Sequence, residues 1–377
     1  MSGTDSARPH GLVRGWWEEI ATFAPDTGGR WNALRVSVAV TAPLSVLLAL
    51  GHPELTSHAV FGALSSVYGK NYVARDRLRA QLGAGAALTA AVTVGAVVGV
   101  AGPASAWSVV LMSLLSLAGY LMTRRFGWLP VPSLFLVFAA GTTSFIPHDW
   151  AGVLVAFCLS ALAAVFGAVV GQSGMLFPRA RSQTVAAPLP TPLKKIFGAP
   201  GARTQMLQYA IGPLVAGGTA TALGLGHPYW AAVSATVPLM GTTLGAQLGR
   251  ATLRLLGTLV GIGIAAAIIS LLSPAWMLVL AVAVLQVLIE LTVTRNYGVA
   301  VACITPAALI LSHLAAPTDV GGLLADRVLE TALGITVATA VLLLRVPRRT
   351  GLHSGTPTPA TTAMPTPQTP AANDGSA

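Results

Sequence analysis

Twelve apolar segments fill most of residues 33 to 345, and only short stretches separate them. Few chains can hide so many apolar segments from water, and a helix of about 20 apolar residues is what a bilayer core requires. Composition agrees. Hydrophobic residues make up 54% of the chain and charged residues 9%, against about 25% charged in an ordinary soluble domain, and the mean hydropathy is +0.72. The reading is an all-α integral membrane protein with about 12 transmembrane helices. No apolar segment stands alone at the N-terminus ahead of a small-residue cleavage site, so no cleavable signal peptide is expected.

The expected helices cover residues 33–50, 57–69, 78–101, 106–122, 128–146 and 150–172, then 205–224, 229–245, 251–272, 275–293, 297–315 and 325–345. The second and eighth are short for a full crossing and read as partial or tilted spans. The two sets echo each other. Gly51-His52-Pro53 returns 175 positions later as Gly226-His227-Pro228, and Thr123-Arg124-Arg125-Phe126-Gly127 returns 171 positions later as Thr294-Arg295-Asn296-Tyr297-Gly298. An even number of crossings per half makes these parallel repeats, an arrangement found in transporters.

Charge sets the orientation. With both termini in the cytoplasm, 21 of the 22 basic residues lie on the inner side and Arg327 alone on the outer. Trp31 and Trp128 then fall at inner boundaries, and Trp107, Trp150, Trp230 and Trp276 at outer ones, as an aromatic belt requires. The domain plan follows: residues 1–32 form a cytoplasmic N-terminus with an interfacial amphipathic segment around Trp16 and Trp17, and residues 33–178 the first six-helix repeat. Residues 179–203 are a cytoplasmic linker, residues 204–346 the second repeat, and residues 347–377 a disordered Pro/Thr-rich tail. The net charge of +10 is spread between apolar segments, which argues against a nucleic-acid partner. Cys158 and Cys303 lie in different halves, so neither a disulfide framework nor a cysteine-ligated metal is expected.

The run Gly-His-Pro-Glu-Leu-Thr-Ser-His-Ala-Val-Phe-Gly-Ala-Leu-Ser-Ser-Val-Tyr-Gly from residue 51, followed by Arg75, Arg77 and Arg79, resembles the first repeat of the FUSC family of fusaric acid resistance proteins and aromatic acid exporters. Gly-His-Pro-Tyr-Trp-Ala-Ala-Val-Ser-Ala from residue 226, Arg250 and Arg254, residues 295–306, and Asp-Arg-Val-Leu-Glu-Thr-Ala-Leu-Gly from residue 326 resemble its second repeat. The resemblance spans residues 30–346 and rests on order and spacing. It implies export of aromatic carboxylic acids or other organic anions across the plasma membrane, by a compact member without large cytoplasmic domains. Plant malate channels are similar to the six-helix unit and pair two units around an anion path, which implies that fused repeats do so within one chain.

The candidate anion ligands are basic. Arg75 and Arg79, like Arg250 and Arg254, are four residues apart and share a helix face at the inner end of the third span of each repeat. A two-fold arrangement converges them into a positive mouth able to hold carboxylates; the alternative is that they only fix topology. Arg124 and Arg295 sit beside aromatic Phe126 and Tyr297, and the alternative for them is an ordinary loop charge. Among acidic residues, Glu290 has no partner at i+3 or i+4 and reads either as a protonatable coupling site or as a side chain snorkelling to the inner surface. Glu330 lies three residues after Arg327 and reads as its neutralising partner. Thr305-Pro306 interrupts the eleventh helix and frees carbonyls for a ligand, or merely kinks it. His52 and His227 read as turn residues with a weaker claim to pH sensing. Gly95/Gly99 and Gly257/Gly261 have the spacing that permits close helix contact.

These features point to an exporter of organic anions driven by protons or membrane potential, with an anion pore or a membrane scaffold as alternatives. No Walker, HExxH or GxSxG pattern is present, so an enzyme ranks last. The expected partners are the bilayer and a small organic anion, with no cofactor and no metal, and homo-oligomer formation is left open.

Overall fold

The structure is a computed structural model that describes residues 9–24, 30–102, 106–173, 185–315 and 319–343. The tail expected after residue 347 and the first part of the linker lie outside the described residues. All regular elements among the described residues are helical. An N-terminal helix α1 (Pro9–Ala21) precedes α2 (Arg30–Ala49), α3 (Thr56–Ala63), α4 (Ala74–Val100), α5 (Ala106–Phe126), α6 (Pro132–Ser144) and α7 (Trp150–Gln172). A short α8 (Leu193–Gly198) leads to α9 (Ala202–Ala222), α10 (Tyr229–Thr236), α11 (Leu244–Leu271), α12 (Ala275–Thr292), α13 (Tyr297–Ala315) and α14 (Val320–Leu343). Among the described residues, seven helices are long and apolar enough to cross a membrane: α2, α4, α5, α7, α11, α12 and α13.

The remaining segments differ for physical reasons. α6 has 13 residues. α3 and α10 have eight each, are buried at every position but Ser57, and continue into short 3-10 turns at Leu64–Val67 and Pro238–Met240. α14 has 24 residues but carries Asp326, Arg327 and Glu330. Side-chain caps begin two of the long helices: Asp149 Oδ1 accepts from the Gly152 amide at 2.6 Å, and Thr243 Oγ1 accepts from the Ala246 amide at 3.2 Å.

The short helices are held inside by long ones. α3 packs on α7, and α10 on α14. Each crossing leaves no room for a side chain at one glycine: a Cβ on Gly62 of α3 would lie 2.0 Å from the Ser160 carbonyl oxygen, and one on Gly334 of α14 would lie 2.3 Å from that of Ala231. α4 packs on α6 and α7, as α11 does on α13 and α14. Between the halves, α2 meets α12 while α5 meets α9, and α6 meets α10 while α3 meets α13. Contacts among α2 to α7 thus resemble those among α9 to α14, and the two sets pack into one compact unit.

Pro306 does not break α13, which runs through it from Tyr297 to Ala315. The carbonyl of Ala302, which the proline ring deprives of its donor, lies against Gly261 of α11, 3.1 Å from where a Cβ would stand. Gly257 and Gly261 make this approach possible, since a Cβ on Gly257 would stand 2.5 Å from the Gly298 carbonyl oxygen. Gly95 and Gly99 give α4 the same closeness to Thr143 and Ile146.

Two peripheral segments are tied to the bundle more firmly than a surface anchor or a free linker would be. α1 packs on α11, where the Trp16 indole donates to Thr252 Oγ1 at 3.0 Å and Glu19 pairs with Arg250 at 3.0 Å. After residue 185 the linker pairs its backbone with Asn71 and Val73 through Val185, and the Thr191 amide donates to the Arg125 carbonyl at 2.7 Å.

Candidate functional site

A cavity of about 740 Å³ lies between the two bundles. Leu129, Lys70, Arg250 and Tyr297 line one end, and Ser57, Ile146, Gly226 and His227 the other. Its wall is mainly apolar and aromatic. Phe138 and Phe145 from the first half meet Tyr229 and Trp230 from the second, with Phe138 and Trp230 ring centroids 4.5 Å apart and Phe145 and Tyr229 5.7 Å apart. α10 can present Tyr229 and Trp230 here because the Gly226-His227-Pro228 turn starts the helix immediately before them.

Four basic side chains reach this cavity, and they divide by partner. Lys70 Nζ donates to Glu290 Oε2 at 3.3 Å, joining the end of the first half's short helix to α12. Arg250 is paired with Glu19 and lies 5.8 Å from the Tyr297 ring centroid. Arg254 and Arg327 take part in no ion pair among the described residues. Arg327 is 0% exposed, its guanidinium carbon sits 3.6 Å from the Trp230 ring centroid, and none of its three side-chain nitrogens has a hydrogen-bond partner. Arg254 is 2% exposed, with its Nε also unpartnered, and lies within electrostatic reach of Arg327.

A buried cation whose donors are unused is costly even with Glu330 within electrostatic reach, and stacking on an indole offsets only part of the loss. Two of them beside each other in one cavity leave donors free for an acceptor. An ionised carboxylate would accept hydrogen bonds from both guanidinium groups, and the aromatic wall would take an apolar body attached to it.

The structure distributes the sequence-expected residues unevenly. Arg250, Arg254, Glu290, Tyr297 and Arg327 line the cavity. Arg75 and Arg79 do not: both are exposed, with Arg79 3.8 Å from Asp76, and the buried arginine of that helix is Arg77, which donates to the Gly171 and Tyr72 carbonyls. The two arginine pairs therefore do not converge, because α4 turns Arg77 rather than Arg75 and Arg79 toward the protein. Arg124 is exposed on α5. Arg295 is exposed too, donating from Nε to the Ala24 carbonyl at 3.2 Å, so it holds the segment after α1 rather than the cavity. Thr305 and Pro306 face Gly261 in the contact between α11 and α13.

The expected pairing of Arg327 with Glu330 does not form. Glu330 turns instead to the Gly226-His227-Pro228 turn, where its Oε1 accepts from the His227 amide at 2.7 Å, and its buried Oε2 has no partner. Neither does Glu290 snorkel; Lys70 from the other half reaches it. Lys70, Trp230 and Phe138 were missed as site residues. Gly69, with φ of 63°, turns the chain just before Lys70, and Trp230, after the recurring Gly-His-Pro turn, was legible only as a membrane-boundary signal.

One group of side chains has ligand geometry. His227, Asp326 and Glu330 each offer an atom within 4.8 Å of the others. His227 Nδ1 and Asp326 Oδ2 are 3.5 Å apart. In this turn burial pulls the His227 imidazole below its ordinary pKa, with Asp326 opposing the shift.

Residues 215–341, from α9 to α14, match the family model described as fusaric acid resistance protein-like. No curated protein and no solved structure matches the chain.

Proposed function

We propose, from the match of residues 215–341 to the fusaric acid resistance protein-like family model, that this chain is a membrane transporter that exports organic anions, with aromatic carboxylates as the fitting class. One observation carries the reading: Arg327 is fully buried, stacked on Trp230 and without any hydrogen-bonding partner, in a cavity shared by both halves. Arg254 and Arg327 hold the carboxylate, Phe138, Tyr229 and Trp230 contact the aromatic body, and Arg250 with Tyr297 draws the anion in from the cytoplasmic end.

The architecture proposed with it is twelve crossings in two parallel repeats with both termini in the cytoplasm of a plasma membrane protein. Matching contacts support the repeat: the pairs α2–α3, α2–α7, α3–α7, α4–α6, α4–α7 and α5–α6 have counterparts in α9–α10, α9–α14, α10–α14, α11–α13, α11–α14 and α12–α13. Export of an anion from a negative interior is favoured by membrane potential, by about 2.3 kcal/mol per charge at 100 mV. The Lys70–Glu290 pair supplies a proton-sensitive link across the halves: protonation of Glu290 removes the attraction that joins α12 to the first half. Arg75, Arg79, Arg124 and Arg295 serve orientation and surface contacts in this reading, and Thr305 and Pro306 serve helix packing.

The test is flux from liposomes loaded with a panel of aliphatic and aromatic carboxylates, run with and without an imposed potential and pH gradient. Saturable flux that prefers aromatic acids, and that responds to either gradient, is expected. Flux no greater than from empty liposomes across the whole panel would sink the proposal.

A further inference from the structure

Beside the cavity, where His227 lines its wall, three residues far apart in sequence meet. His227 belongs to the turn before α10, and Asp326 and Glu330 lie four residues apart on one face of α14. Their candidate ligand atoms all fall within 4.8 Å of one another.

Three further observations point to a ligand here. His227 Nδ1 and Glu330 Oε2 are both buried and without a hydrogen-bond partner, while Glu330 itself is 0% exposed. The other Glu330 oxygen is fixed by the His227 amide at 2.7 Å, so the carboxylate is held in place with one oxygen unused. Asp326 reaches its position only because residue 226 is glycine: a Cβ there would stand 2.4 Å from Asp326 Oδ2.

The spacing suits a particular ligand. Metal arms of about 2.0–2.2 Å at tetrahedral angles place neighbouring ligand atoms about 3.3–3.5 Å apart, and His227 Nδ1 to Asp326 Oδ2 measures 3.5 Å. Two carboxyl groups and an imidazole nitrogen offer lone pairs, which suit a cation rather than a second anion. An imidazole nitrogen with two carboxylate oxygens suits a divalent transition ion better than magnesium or calcium, which take oxygen ligands.

We propose that His227, Asp326 and Glu330 bind a divalent transition metal ion of the zinc type, clamping the Gly226-His227-Pro228 turn to α14 beside the cavity. Three protein ligands leave a fourth tetrahedral position for water or an anion. The ion restrains the same turn that starts α10 and so fixes Tyr229 and Trp230, and its binding is independent of whether the cavity transports anything.

Calorimetric titration of the purified full chain in detergent with zinc chloride tests this, with cobalt chloride as a spectroscopic probe. One saturable site per chain is expected, with cobalt giving the intense visible absorption of tetrahedral coordination. His227→Ala and Asp326→Asn should each weaken zinc binding at least tenfold and remove the cobalt band. Glu330→Gln should weaken it as well, and His52→Ala, at the exposed first-half turn, should leave it unchanged. The elution profile of each variant is compared with the parent to show that the fold persists; if His227→Ala alone misfolds, Asp326→Asn decides. Absence of saturable zinc binding by the parent, or unchanged binding in folded His227→Ala and Asp326→Asn, overturns the proposal.

Discussion

α7 and α14 occupy corresponding places, each closing its bundle over a short buried helix, yet they carry opposite chemistry. α7 has no charged residue over 23 positions and presents Val155, Ala156 and Leu159 where α14, 171 positions later, presents Asp326, Arg327 and Glu330. Packing explains why both helices exist, since each must seat a short helix at a close glycine crossing. It does not explain three charges in one of them. The difference teaches that equal packing duties leave a helix free to carry charge where its side chains, like Arg327, face a cavity rather than lipid.

The largest expected effect comes from making α14 resemble α7 at one position. Arg327→Met should lower the affinity for an aromatic carboxylate by about 10- to 100-fold, as expected for losing a charge-assisted hydrogen bond of about 1.5–3 kcal/mol. Thermal stability should hold or rise, because an unpaired buried cation is replaced by an apolar chain. Calorimetry and a melting curve on the same sample check both. A fall in stability with unchanged affinity would mean that Arg327 is structural.

Next in size is the bond between halves. Glu290→Gln strands Lys70 and should cost about 1–3 kcal/mol, less than the ~3–5 of a fully buried pair because Lys70 is partly exposed. The double change Lys70→Met with Glu290→Leu should recover most of it. A melting-temperature cycle over the four proteins reads the coupling.

A smaller effect separates two glycines of α11. Gly261→Ala brings a Cβ to 2.7 Å from that of Thr305 and should destabilise by about 1–2 kcal/mol, whereas Gly263→Ala meets nothing within 4 Å and should be neutral or slightly stabilising. The smallest is no effect: Arg79→Ala, exposed on α4, should leave anion binding as it is.

Much of the helix plan was legible because apolar length is a strong signal and because glycine, proline and charge mark the ends. The twelve expected segments fall on helices α2 to α7 and α9 to α14, but seven of these among the described residues, not twelve, are long and apolar enough to cross a membrane. What spacing alone could not show was facing. Arg75 and Arg79 have the same four-residue separation as Arg250 and Arg254, yet a rotation of α4 about its axis puts Arg77 inside and leaves them out. Nor could sequence pair residues distant along the chain. Glu290 seemed partnerless because its cation, Lys70, lies in the other half, and Glu330 seemed paired because Arg327 was three residues away. His227 is separated from Asp326 by nearly a hundred positions, so ligand spacing of the kind that reveals zinc motifs was absent.

The central claim is that the two unpaired arginines of the second half, and not the exposed ones of the first, hold an anion between the bundles. Benzoate titrated into purified parent protein, Arg79→Ala, Arg254→Ala and Arg327→Met measures it most directly. The account predicts saturable binding in the parent and in Arg79→Ala, weakened at least tenfold in each of the other two. Parent-like binding in both Arg254→Ala and Arg327→Met, or an equal loss in Arg79→Ala, would contradict it.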